Sequence, residues 1–124
     1  MNRFSSLIKK EFDKVEKRNF TDVALENLCH KIDWAMRIKY TFFPLLKDAI
    51  DNKKVFIAIV KDFNGLPDFY SSSQMDEFYD FLFEIAKAIK ADKEEKARKD
   101  KISRLKKLKE EIKTLEEEIY LKEN

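Results

Sequence analysis

The only histidine and the only cysteine of this chain stand side by side, Cys29 and His30, between Glu26 and Asp33. Glu26, His30 and Asp33 fall at i, i+4 and i+7, a spacing that puts all three on one face of a helix. Carboxylates and an imidazole so placed have the chemistry of metal ligands, but a tetrahedral site needs a fourth donor, and no second element offers one. The plainer reading places Cys29 in the core and the other three on a solvated face. Adjacent helical residues diverge, so Cys29 and His30 do not form a thiolate–imidazole pair either. Asp76, Asp80 and Glu84 make a second row, at i, i+4 and i+8, that could serve acid–base chemistry or hold a cation. No Gly-rich loop cradles a phosphate, since the chain has one glycine. These patterns predict no catalytic, cofactor-binding or metal-binding residues, and the expectation is a protein that is not an enzyme.

Binding chemistry is better represented. From Lys96 to Lys109 there are eight Lys or Arg residues and one acid, Asp100, whereas Glu110 to Asn124 holds six Glu and two Lys. Across this change of sign Leu105, Leu108, Ile112, Leu115 and Ile119 recur at steps of 3, 4, 3 and 4. That is a heptad seam, with Leu105, Ile112 and Ile119 at a and Leu108 and Leu115 at d. A basic stretch running into leucine heptads resembles a basic leucine zipper. It departs from that pattern because the basic residues overlap the heptads, and no Asn lies between Ala91 and Glu123 to read a base. Lys99, Arg104, Lys106, Lys107, Lys109 and Lys113 could still contact a phosphate backbone.

Charge also decides how the seam would pair with itself. A parallel pair sets Arg104 against Lys109, Glu111 against Glu116 and Glu118 against Glu123, all like charges. With Leu108 opposite Ile119 of an antiparallel copy, Lys109 attracts Glu116, while Glu111 and Glu118 still repel. An antiparallel homodimer is therefore the expectation for the tail, or failing that, docking on another oppositely patterned helix.

Eleven Phe, four Tyr and one Trp make an aromatic surplus for 124 residues. Most of these rings suit a Phe-rich core, and Trp34, Tyr70, Phe81 and Phe83 are the candidates for exposed anchors on a protein partner, where aromatics concentrate binding energy.

The elements that must position these residues read as helices. One Gly and two Pro are too few for a turn-rich β fold. Helix one should run from about Arg3 to Arg18, with Phe4, Leu7, Ile8, Phe12 and Val15 on one face and Asn19–Phe20 as the break. Thr21 or Asp22 caps helix two, whose core face reads Leu25, Leu28, Cys29, Ile32, Ala35 and Met36, with Trp34 and Ile38 off it. Residues Val55 to Val60 are six apolar residues in a row, readable as strand or helix. The stop at Gly65, Leu66 and Pro67 favours a helix over about Pro44 to Phe63, broken near Asn52.

Ser73 with Asp76 forms a loose capping box that opens one very long helix to Asn124. Met75, Phe78, Tyr79, Leu82, Ile85, Ala86 and Ile89 make its stripe, and Phe81 and Phe83 widen it, leaving Asp76, Glu77, Asp80, Glu84 and Lys87 for water. Ala91 to Lys101 loses the stripe and reads as a solvated helical spacer or a hinge.

The fold expected is all-α: a small bundle of three to four helices, with a long C-terminal helix ending in a short coiled coil. Residues 1–90 would form the bundle domain and 91–124 a charged helical extension. One cysteine excludes an intrachain disulfide and a Cys-based zinc site. No apolar run approaches the roughly 18 residues of a membrane span, so no membrane association is expected and the compartment expected is the cytoplasm. The function expected is a helical protein-binding module, a small regulator or inhibitor of a larger protein, docking or oligomerising through its tail. The competing expectation is a nucleic-acid-associated protein.

Overall fold

The structure is a computed structural model and describes residues 2–17 and 21–123. The fold is all-α, with no strand among these residues. Helix α1 covers Arg3–Lys17, α2 Asp22–Arg37, α3 Phe43–Leu46, α4 Lys53–Lys61 and α5 Ser72–Glu123. The expected end of helix one at Arg18 and the break at Asn19–Phe20 lie outside the described residues, as does Asn124. Two compact units divide the chain, Met1–Asp92 and Lys93–Asn124.

Local chemistry sets the helix ends. Thr21 caps α2, its hydroxyl accepting from the Ala24 N–H at 3.1 Å. Asn52 does the same for α4 toward Val55 at 3.3 Å. The ambiguous run Val55 to Val60 is therefore helix, capped where the break was expected, and Phe56 and Val60 are its buried residues. Before Pro44 the chain widens into a π-helical turn over Ile38–Phe42, in which the Phe43 N–H reaches back to the Ile38 carbonyl. Pro44 has no N–H to continue the ladder of α2, so the chain restarts there as the single turn α3. Gly65, at φ +83°, closes the loop after α4 in the left-handed region that suits a residue without Cβ. The capping box of α5 lies two residues earlier than the sequence suggests. Ser71 Oγ accepts from the Gln74 N–H at 3.2 Å, and Gln74 Oε1 accepts from the Tyr70 N–H at 3.2 Å.

In the first unit the core is built on the aromatic half of α5. Phe78, Tyr79, Phe81, Leu82, Ile85, Ala86, Ala88 and Ile89 are buried there. The wide apolar arc is clasped as its width requires: Phe83 meets Phe56 of α4 edge-on at 5.2 Å, and Phe78 meets Phe69 at 5.0 Å. Asp76, Glu77, Asp80, Glu84 and Lys87 remain exposed.

Two faces differ from expectation. On α2 the buried residues are Leu28, Trp34 and Ala35, followed by Ile38, while Leu25, Cys29 and Met36 are exposed. Trp34, 1% exposed, stacks with Phe42 and Phe63, and those two rings stack on each other at 4.4 Å. An aromatic ring removes roughly 150–250 Å² from water, so α2 turns to bury Trp34 and Ile38 at the cost of exposing Cys29 and Met36. On α1 the buried residues are Phe4 and Glu11, and Phe12, one step on from Glu11, is exposed. Glu11 is held there by Lys31 of α2 at 2.9 Å and Lys14 at 3.2 Å.

Asp92, read from sequence as part of a solvated spacer, has a structural task. Its two carboxylate oxygens accept the Arg3 and Phe4 N–H groups, each at 3.0 Å, and so cap α1 from α5. Through Ala91 to Lys101 α5 continues without a break, so this stretch is helix and not an interruption. Asp92→Ala should cost about 0.5–2 kcal/mol, the usual worth of an N-cap, and Asp92→Asn less. Urea titrations of the three proteins check this, and equal midpoints would exclude the capping role.

Candidate interaction site

Several members of the two candidate rows are engaged in ion pairs. His30 Nε2 lies 3.6 Å from Glu26, but Asp33 is turned to Arg37 at 3.2 Å. Among the described residues no three His, Cys, Asp or Glu side chains come together as a metal-holding group. In the second row Asp80 is paired with Lys53 and Glu84 with Lys87. The chemistry missed from sequence is the Glu11–Lys31 pair, beside a cleft of about 320 Å³ between α1, α2 and α5. Lys31 also lies 4.0 Å from Glu77 and over the Phe81 ring at 5.8 Å. Its charge is thus taken up inside the bundle, and no periodicity signals such a pair because an ion pair across helices depends on their packing. Burial pushes the Tyr79 phenol above its ordinary value.

Of the four aromatic anchor candidates, Trp34 and Phe81 are core residues and present no ring to a partner. Phe83 is half-buried, its edge on Phe56 and Lys87 above it at 5.1 Å. Tyr70, 75% exposed, is the one of the four at the surface. The correction has one cause. The helical wheel shows that Phe81 and Trp34 lie off the main stripe, but only the neighbouring helices decide whether a second contact covers them.

The second unit carries the most coherent surface feature. Leu105, Leu108, Ile112, Leu115 and Ile119 lie along one helix and are each between 53% and 57% exposed. Lys99, Arg104, Lys106, Lys107, Lys109 and Lys113 are exposed around them. A helix dipole acts within the first and last turns, so the basic stretch, far from Ser72, is not penalised by it. The acidic end is.

No family model, curated protein or solved structure matches the chain.

What the seam can do follows from its geometry. A row of branched aliphatic side chains every half heptad fits the holes of a second helix with the same repeat, and charged flanks then choose orientation. Among the described residues no helix is long and apolar enough to cross a membrane.

Proposed function

We propose that this chain is a non-enzymatic, cytoplasmic protein-binding module, a small helical regulator or inhibitor of a larger protein, whose tail pairs antiparallel with a second copy. The observation that carries the reading is the aliphatic seam from Leu105 to Ile119, over half exposed along its length. A helix whose apolar row faces water gains little from intrinsic propensity, and most helical stability comes from burying such a row. A second copy is the favoured occupant because it supplies the same row with complementary ends: the basic part of one tail beside the acidic part of the other.

Sedimentation equilibrium of the full chain tests this. The expected result is a dimer that becomes monomeric when Ile112→Asp places a carboxylate at the centre of the seam, with unchanged helicity of the first unit. A monomer in the unmodified chain at all concentrations overturns self-pairing.

The second reading, phosphate-backbone binding, rests on the exposure of all eight basic side chains between Lys96 and Lys109. It requires that binding to generic DNA or RNA weaken log-linearly with salt, with a slope of several, about 0.7–0.9 per phosphate contacted.

A further inference from the structure

The tail carries two blocks of charge as well as the seam, and pairing through the seam decides where each block goes. From Lys93 to Lys109 nine Lys or Arg stand against three acids, Glu94, Glu95 and Asp100. A net charge of +6 therefore remains after every pair is cancelled, that of Lys99 with Glu95 at 3.5 Å included. Residues 110–117 hold four Glu and one Lys, a net charge of −3. In the antiparallel register that sets Leu108 opposite Ile119, residues 110–117 of the two copies overlie each other, and the middle of the pair doubles that negative charge. Each basic block lies at its own end, where residues 118–123 of the other copy add a single negative charge. The two blocks are centred about 38 Å apart, at 1.5 Å of rise per residue. Such a pair offers a polyanion two separate sites, because the acidic middle repels any chain of phosphates laid along the whole rod.

The shape of each basic block selects the polyanion. Lys96, Arg98, Lys99, Lys101, Arg104 and Lys106 are all exposed, and at about 100° per residue they surround the helix with no gap above about 80°. An anionic bilayer meets one side of such a helix and leaves the other charges unanswered. The major groove of B-form DNA, about 12 Å wide, admits a helix of about 10–12 Å diameter and flanks it with the phosphates of both strands. The deep, narrow major groove of an RNA duplex does not. No aromatic residue lies between Phe83 and Tyr120, so the stacking that holds single strands is missing. Nor does any Asn or Gln lie between Ala91 and Glu123 to read adenine, which makes phosphates the contacts.

We propose that the tail-paired dimer bridges two DNA duplexes, one seated at each basic end, without regard to base sequence. This rests on the antiparallel pairing of the tail, and it extends the phosphate-backbone reading from one site to two. The seam and the basic ends act together: one joins the copies, the others hold the duplexes.

The probe is a pair of DNA duplexes of about 15 base pairs, about 50 Å long at 3.4 Å per pair, one labelled with a fluorescence donor and the other with an acceptor. With the full chain, energy transfer between the duplexes should rise to a maximum and fall again in excess protein, when each duplex takes its own dimers. Ile112→Asp, which breaks the seam, should still bind each duplex but abolish the transfer. Lys96→Glu with Lys106→Glu should remain dimeric by sedimentation, lose the transfer, and lower the salt slope of binding by about two, at about 0.9 per phosphate contact. A dimer that does not bind the duplex, or binds it without transfer, overturns the bridge and leaves tail pairing standing. A monomer overturns both. Single strands, an RNA duplex or anionic phospholipid vesicles bound as tightly as the DNA duplex at the same salt overturn the assignment of the occupant.

Discussion

Leu82→Ala is expected to lower the unfolding free energy of the first unit by about 2–5 kcal/mol, the range for emptying a fully buried leucine site. Leu82 has no exposed surface and lies between Phe78 and Ile85 on the α5 face that the rest of the unit covers. The cost has two parts, the lost transfer of the isobutyl group and the cavity left among rings that cannot collapse freely into it. Total stability of a domain this small is commonly 5–15 kcal/mol, so the variant should unfold at clearly lower urea concentration. Melts that coincide with the parent would refute α5 as the centre of the core. Phe83→Ala is not a clean surface control, because its ring packs on Phe56, and it should destabilise as well, though less. Tyr70→Ala, at an exposed ring, should leave the midpoint in place.

The other large effect is a distance. In the antiparallel register that sets Leu108 opposite Ile119 of the second copy, spin labels at residue 100 of each chain should sit about 40 Å apart, at 1.5 Å of rise per residue. A parallel dimer brings the same labels close together. The label is carried by Asp100→Cys in a Cys29→Ser background, since Cys29 is exposed and would itself react. The electrostatic preference behind this is modest, about 1 kcal/mol or less per exposed pair. It rests on Lys109 facing Glu116 across the antiparallel seam, where a parallel seam faces Arg104 with Lys109 and Glu111 with Glu116. Raised salt should therefore weaken the orientation preference before it dissolves the apolar seam. A short label–label distance sinks the antiparallel arrangement.

The sequence by itself determines the helical class, the aromatic core of α5, the break near Asn52 and the position of the tail seam. Each is a local property: residue spacing along one helix, a side chain that satisfies a nearby N–H, or the scarcity of Gly and Pro. What only tertiary structure decides is which flank of a broad apolar arc meets another helix. Helix α2 has apolar residues around more than half of its circumference, and periodicity weighs Cys29 and Met36 equally with Trp34 and Ile38. Packing does not, because stacking Trp34 with Phe42 and Phe63 removes more surface from water than burying a thiol and a thioether. The same rotation brings Lys31 to Glu11, which a wheel of α1 assigns to neither the core nor an ion pair. Asp92 likewise reads as one charge among many until α1 presents two N–H groups at its carboxylate. Contacts between residues 80 or 90 positions apart leave no periodic trace, since each helix records its own faces and not the angle at which its neighbours approach.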